Sequence, residues 1–140
     1  ISGLGAAGGL CGGLYAFLNA ELKSGVEIIG SYTGLNEKIK NADLVITGEG
    51  KTDDQKAFGK LPSEIAKVAK KNNVPVVCLS GGLDIASDHL YKIGISALFS
   101  IANRPMSLES AMENAEKLLE ESAFNITKLF LAGIQSKLNL

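Results

Sequence analysis

The fold is decided by two short stretches of the sequence, LVITG at residues 44–48 and PVVCLSG at residues 75–81. Both are rich in β-branched residues or leucine, and both end in glycine. Continuous apolar runs of this length are typical of parallel strands that are covered on both faces. We therefore predict strands at these two places, a third strand at residues 95–101 and a fourth at residues 26–30.

Helical patterns separate these strands. Residues 62–72 place apolar side chains on one face, begin with Pro62, which suits a first helical turn, and end with lysines. From Ser107 to Phe130, apolar residues recur with a period of about 3.6, which predicts one long amphipathic helix, broken near Asn125. Strands that alternate with helices predict an α/β fold, a Rossmann-like layer structure with helices on both faces of a parallel sheet.

The overall composition is that of a globular domain. The 140 residues are 46% hydrophobic and 21% charged, with a net charge of -1, so one domain is the simplest expectation. The 14 Lys and Arg are spread among 15 Asp and Glu, which leaves no basic stripe for binding nucleic acid. No apolar run approaches the roughly 18 residues of a membrane span. We therefore expect neither nucleic acid nor a membrane as a partner.

The cysteines predict a reducing, cytoplasmic compartment. Cys11 and Cys78 lie among apolar residues, at a separation that suits neither a metal site nor an obvious disulfide. We interpret both as reduced, structural thiols, because disulfides are rare in the cytosol.

The start of the chain predicts a longer polypeptide. Residue 1 is not Met, and the glycine-rich residues 3–14 have no strand in front of them, although such loops commonly follow one. Two organisations are therefore open. Residues 1–140 form either a single α/β domain or the C-terminal portion of a larger, two-domain protein.

The first candidate site is TGEGKTDDQ at residues 47–55, directly after the first predicted strand. In open α/β sheets, ligands gather at the carboxyl ends of the strands. Carboxylates such as Glu49 can bind Mg²⁺ or accept a hydroxyl proton, and a lysine can balance charge on a transferring phosphoryl group. The alternative is a polar turn with glycines placed for positive φ.

The second candidate site is the opening, GLGAAGGLCGGL at residues 3–14. Each glycine in a helix costs about 0.8–1.0 kcal/mol relative to alanine, so four of them need a reason. Backbone N–H groups at a helix N-terminus can approach a phosphate closely, while tight packing of a helix on a sheet is the alternative. Gly3, Gly5 and Gly8 also match a dinucleotide-binding fingerprint, but that motif requires a preceding strand.

Two further segments are open between a functional and a structural interpretation. Lys60, beside a predicted helix start, can form an anion pocket or be a solvated charge, and Leu61 excludes a P-loop by occupying its hydroxyl position. Ser80 and Gly81, at the glycine end of the second predicted strand, can supply backbone donors to a bound cofactor or form an ordinary turn.

The remaining polar candidates are single residues. Arg104, the only arginine, can clamp an anion or lie in a plain loop. His89 is the only histidine and falls in a predicted helix away from the strand ends, so we interpret it as a surface residue. No histidine-based triad or zinc site is therefore predicted.

Several strings together resemble the C-terminal portion of the type-1 glycerate kinase family. The strings are GAAGGL at residues 5–10, ADLVITGEG at residues 42–50 with Asp53 and Gln55, GK at residues 59–60 with Pro62, FSI at residues 99–101 and RPMSLE at residues 104–109. They occur in the family's order over nearly the whole chain. Lys56 and Glu64 depart from the family pattern and leave substrate preference open.

The resemblance implies an ATP-dependent kinase of D-glycerate, with two α/β domains and an active site between them. It implies in-line attack of a glycerate hydroxyl on the γ-phosphoryl group of ATP, with Mg²⁺ neutralising charge. Glu49 and Asp53 would be the acidic pair that binds the metal or activates the hydroxyl, with Asp53 as the proton acceptor. Lys60 would lie near the transferred phosphate, and the isolated piece would have little or no activity.

The resemblance also assigns a role to the opening, where Gly5, Gly8 and Gly9 would form the phosphate-side loop. Two alternatives remain: a non-catalytic anion- or nucleotide-binding α/β module, and a nicotinamide-binding domain of the Rossmann type. The sequence also leaves open a homo-oligomer and the choice between the 2- and 3-hydroxyl of glycerate.

Overall fold

The computed structural model describes residues 1, 3–52, 61–83 and 88–138. The chain divides into two compact units, Ile1–Leu35 and Asn36–Leu140. The first unit is helical, and the second contains the sheet.

The first unit consists of a 3-10 turn, Ala6–Gly9, and two helices, α1 (Leu10–Leu18) and α2 (Gly25–Thr33). Residues 26–30 are therefore helical, and the predicted fourth strand is wrong. The reason is local capping, because the Ser24 side chain accepts a 3.1 Å hydrogen bond from the Glu27 backbone N–H. Serine followed three residues later by glutamate is a helix-start signal, and here it outweighs the β-branched content of the segment.

The second part of the chain alternates strands with helices. Its elements are α3 (Leu35–Lys40), β1 (Val45–Thr52), α4 (Leu61–Lys71), β2 (Val76–Leu83), α5 (Asp88–Ile93), β3 (Ala97–Ser100), α6 (Leu108–Glu113) and α7 (Ala115–Leu138). The strands form one parallel sheet in the order β1-β2-β3. The α/β class and the strands predicted near residues 44–48, 75–81 and 95–101 are confirmed.

Both faces of the sheet are covered at β2. Successive side chains of a strand point to opposite faces, and all five residues from Val76 to Ser80 are buried. On one face, Val77 and Leu79 pack with Ile126 of α7. Helix α4 contacts β1 and β2, and its own buried face includes Ala66 and Ala69. This is the layer structure that the continuous apolar runs predict.

The helices agree with the sequence except at one break. Helix α4 spans nearly the predicted residues, but the long C-terminal pattern divides at Asn114 and continues unbroken past Asn125. The Asn114 side-chain amide donates a 2.8 Å hydrogen bond to the Ser110 carbonyl, which also accepts from the Asn114 backbone N–H, and side-chain bonds of this kind bend helices. Among the described residues, no helix combines the length and apolar character needed to cross a membrane.

The first two strands run further than the sequence predicts. β1 continues to Thr52 and β2 to Leu83, so Glu49, Ser80 and Gly81 lie inside strands rather than in loops after them. That placement in loops is wrong because the glycines of these segments serve the sheet instead of turns. A Cβ on Gly48 would lie 2.7 Å from the Leu79 carbonyl oxygen, and one on Gly81 would lie 2.5 Å from the Gly50 carbonyl oxygen.

We expect Gly81→Ala to lower the free energy of unfolding by about 1–3 kcal/mol, because the added methyl group must displace the backbone of β1. Gly50→Ala is the matched control, since nothing lies within 4 Å of a Cβ built at Gly50. The control should be neutral or slightly stabilising, as alanine loses less conformational entropy than glycine. Chemical denaturation of both variants measures the difference, and equal stabilities would contradict the close approach.

Candidate functional site

A buried polar cluster joins β1 to β2. The Thr52 hydroxyl donates a 2.8 Å hydrogen bond to Oε1 of Glu49 and lies 2.5 Å from the Ser80 hydroxyl oxygen. The Sγ atom of Cys78 is 3.9 Å from the same Ser80 oxygen. Thr52 and Ser80 are each only 1% exposed, so water does not replace these contacts. The cluster therefore satisfies its polar groups internally, as buried groups require.

The parallel register creates this cluster. Glu49 pairs with Ser80, and Thr47 pairs with Cys78. The side chains of these two pairs therefore lie on the same face of the sheet. Thr52, further along β1, reaches back to both Glu49 and Ser80. Neither strand alone brings a carboxylate, two hydroxyls and a thiol together.

The environment of Cys78 favours the neutral thiol. Burial raises the pKa of the Cys78 thiol, the hydrogen bonds with Ser80 and Thr52 act in the opposite direction, and the negative charge of Glu49 raises the pKa further. Cys11 and Cys78 are both free. This agrees with the expectation of unpaired cysteines.

A cleft of about 850 Å³ opens beside the cluster. Its floor is the carboxyl-terminal part of β1 and β2, and its walls come from α6 and α7. Its apolar lining includes Ile46, Leu79, Ile101, Leu108, Met112 and Leu119, and its polar lining includes Glu49, Lys51 and Glu116. A mostly apolar cleft with a few convergent polar groups is the usual form of a small-molecule site. Glu49 borders both this cleft and the buried hydroxyls.

The glycine-rich opening has a distinct backbone. Gly8 and Gly9 have φ of 66° and 91°, and Ala7 between them and Gly5 has φ of 52°. Within the described residues, nothing lies within 4 Å of a Cβ built at Gly5, Gly8 or Gly9. The backbone conformation, rather than tight packing, therefore accounts for glycine at positions 8 and 9.

The comparison with known families decides the identity of this fold. The model of the glycerate kinase family matches residues 1–131. The chain belongs to the glycerate kinase family. The resemblance inferred from the sequence strings is thereby confirmed.

Individual relatives agree with this family. The chain is 48% identical to a glycerate kinase of Halalkalibacterium halodurans over 90% of its own length and 33% of the relative's. It is 39% identical to a glycerate 2-kinase of Escherichia coli K12 over 97% of its own length and 36% of the relative's. It also matches the crystal structure of a protein assigned as glycerate kinase 2 from Salmonella typhimurium LT2, with a TM-score of 0.72 and 38% identity, over 96% of this chain and 34% of that one.

This member of the glycerate kinase family spans about a third of the length of the relatives it matches. This share agrees with the prediction that these residues are part of a larger fold. The described sheet and helices are thus one portion of the family's fold.

The predicted site residues of this glycerate kinase homologue fall into three groups. Glu49, Ser80 and Gly81 lie together on adjacent strands. Asp53 and Lys60 lie outside the described residues, so their predicted roles stay predictions. The loop of residues 5–9 belongs to the first compact unit, and its predicted role in phosphate binding also stays a prediction.

Two other predicted residues are placed by the structure. His89 lies in helix α5, as expected. Arg104 is exposed and lines a small polar cavity of about 120 Å³, together with Lys117 and Glu121. Arg104 is not among the described residues that line the cleft beside Glu49.

Sequence reasoning missed the position of Thr52 and the contribution of α6 and α7. Thr52 was one hydroxyl in a polar string, and only the register of β2 gives it a buried partner. The signal for the helices was available, because Leu108 and Met112 extend the apolar pattern at positions that stay 77% and 69% exposed. Those side chains line the cleft instead of joining the core.

We expect the stability of the protein to fall at alkaline pH partly through Cys78. Because folding raises the pKa of this thiol, its contribution is complete below the ordinary thiol pKa of about 8.5 and is lost as pH rises through the folded pKa. Cys78→Ala should therefore reduce the loss of unfolding free energy between about pH 8 and pH 10. Cys11→Ala is the control for thiol removal, and an equal reduction in that variant would contradict the assignment to Cys78.

Proposed function

We propose that this chain is part of a kinase that transfers the γ-phosphoryl group of ATP to a hydroxyl group of D-glycerate, with Mg²⁺ as the metal. Membership of the glycerate kinase family supports the reaction class. The observation that carries the proposal is the position of Glu49, a residue that lines the cleft and whose carboxylate accepts a hydrogen bond from the buried Thr52 hydroxyl. A carboxylate held by a hydrogen bond on a strand that lines a cleft is suited to a metal bound jointly with phosphate groups.

The donor set fits magnesium better than a protein-only metal centre. Mg²⁺ is usually bound through one or two carboxylates together with substrate phosphates and water. In the described parts of the chain, no group of three or more His, Cys, Asp or Glu side chains is arranged to hold a metal. Glu49, with Asp53 as its predicted companion, would hold the ion in company with the triphosphate. When bound, the ion neutralises charge on the phosphates.

The chain's own residues would divide the remaining work. Asp53 accepts the proton of the attacking glycerate hydroxyl, and Lys60 balances negative charge near the transferred phosphate. The backbone N–H groups of Gly5, Gly8 and Gly9 bind phosphate oxygens. These roles follow the family resemblance and the chemistry of the residue types.

The side chain of Ser80 takes no part in binding the nucleotide in this proposal. It is 1% exposed, and its hydroxyl lies 2.5 Å from that of Thr52. Gly81 lines the cleft, so the backbone of Gly81, rather than the side chain of Ser80, remains the candidate contact to the nucleotide.

We propose the 2-hydroxyl of glycerate as the acceptor. One relative, 39% identical to this chain, is named glycerate 2-kinase. Phosphorus NMR of the product separates 2-phosphoglycerate from 3-phosphoglycerate, and the 3-phospho product would contradict this choice. The enzyme would act in the cytoplasm, which suits its free thiols. The exclusion of nucleic acid and the possibility of a homo-oligomer stay predictions from the sequence.

In the polypeptide that carries this sequence, we expect Asp53→Asn to lower kcat by about 10²-fold or more, because the amide cannot accept the hydroxyl proton. Glu49→Gln should lower kcat and raise the Mg²⁺ requirement, because a negative charge is lost. A coupled assay of ADP release with D-glycerate measures both. Asp43→Asn is the matched control, since this exposed carboxylate precedes β1, and unchanged turnover in Asp53→Asn would remove that residue from the mechanism.

Ligand binding separates the kinase from its alternatives. We expect Mg-ATP to raise the melting temperature of the protein, because a ligand that binds only the native state stabilises it. NAD should leave it unchanged, and a rise with NAD alone would favour a nicotinamide-binding domain. Binding of Mg-ATP without glycerate-dependent turnover in the polypeptide that carries this sequence would instead favour the non-catalytic module. The 140 residues by themselves should show little or no turnover, because they cover only about a third of the relatives' length.

A further inference from the structure

The hydrogen bonds of the polar cluster have a fixed direction. Each hydroxyl has one proton to donate. The Thr52 proton is donated to Oε1 of Glu49, so the 2.5 Å contact between Thr52 and Ser80 requires Ser80 to be the donor. The Ser80 oxygen can then only accept in its 3.9 Å contact with the Cys78 thiol.

The direction of donation affects stability because the groups of the cluster are buried. Cys78, Ser80 and Thr52 are each 1% exposed, so water is not at hand to replace a lost partner. A buried donor or acceptor that loses its partner pays the full cost of desolvation. Donation therefore runs from Cys78 to Ser80, from Ser80 to Thr52 and from Thr52 to Glu49. In this order, the thiol proton and both hydroxyl protons each have an acceptor.

We propose that Thr52 is a positioning residue, which fixes the orientation of the Glu49 carboxylate through this one-way series of hydrogen bonds. The inference rests on the proposed function, in which that carboxylate binds the metal with the triphosphate. Glu49 belongs to a strand, so its backbone position is set by the sheet, while the hydrogen bond from Thr52 selects the direction of its side chain. The hydrogen bonds connect Ser80 to the Glu49 carboxylate through Thr52.

The direction of donation distinguishes this role from a simple tether between strands. Thr52→Val removes the hydrogen bond to Glu49 and also leaves the Ser80 proton without its acceptor. Ser80→Ala removes a donor to Thr52 but leaves the bond from Thr52 to Glu49 in place. If the cluster only holds the two strands together, both substitutions should have similar effects on activity. If it positions the carboxylate, the substitution at Thr52, which contacts Glu49, should have the larger effect.

The kinetic test uses the polypeptide that carries this sequence. We expect Thr52→Val to lower kcat about tenfold or more, Ser80→Ala to lower it by about threefold or less, and both to leave the KM for glycerate within about twofold. Thr52→Ser keeps the hydroxyl and should restore kcat to near the wild-type value. Thr52→Cys, with a weaker donor, should fall between serine and valine, and it replaces Thr52→Val in the comparison if the valine variant does not fold. Equal effects at Thr52 and Ser80, or wild-type kcat in Thr52→Val, would overturn the proposal.

A second measurement does not depend on activity. In chemical denaturation, the effects of Thr52→Val and Ser80→Ala should be non-additive, because both changes act on the same hydrogen bond. The pair Thr127→Val and Ser80→Ala is the matched control, since the exposed Thr127 hydroxyl donates its hydrogen bond to the Ala123 carbonyl within α7. If the losses of unfolding free energy in Thr52→Val and Ser80→Ala are additive, the proposed series of hydrogen bonds is overturned. If the wild-type protein shows no glycerate-dependent release of ADP, the proposed function fails. The denaturation measurement still decides whether Ser80, Thr52 and Glu49 form a connected series of hydrogen bonds.

Discussion

Carbonyl oxygens of β1 and β2 lie so close to the opposite strand that Gly48 and Gly81 have no room for a side chain. This constraint lets the two strands remain side by side up to Thr52 and Leu83. The resulting register places Glu49 opposite Ser80. A sheet that diverged at Gly48 would carry the same polar residues on separate loops, and Thr52 would have no buried partner.

The chemistry of the site follows from this shared register. Buried hydroxyls must satisfy one another or a charged neighbour, and here Thr52 contacts both Ser80 and the carboxylate of Glu49. Glu49 therefore belongs to a dry polar cluster through its carboxylate and also to the lining of an open, largely apolar cleft. In the proposed function, that position suits a group that must keep one orientation while it meets a charged ligand.

Much of the fold was predictable because local patterns carry it. Continuous apolar runs predicted β1 and β2, and the spacing of apolar residues predicted α4 and the C-terminal helices. The errors arose where a local signal was outweighed or ambiguous. Residues 26–30 look like a strand by composition, yet the cap at Ser24 starts a helix. Glycines at the ends of LVITG and PVVCLSG indicate turns in isolation, yet here they permit a close approach between strands. The break at Asn114 coincides with a side-chain hydrogen bond to the Ser110 carbonyl, which also accepts the helical bond of the Asn114 backbone.

The sequence by itself determined the α/β class, the family and the identity of Glu49, Ser80 and Gly81 as candidates, because buried parallel strands and their glycine-rich ends leave a readable string. Only the tertiary structure decided that Glu49 and Ser80 face each other and that Thr52 joins them. It also decided that the side chain of Ser80 is buried rather than available to a nucleotide. The physical reason is that register, burial and the direction of a hydrogen bond belong to pairs of strands. Residues 28 positions apart in the chain, such as Thr52 and Ser80, acquire a relationship only when the sheet forms.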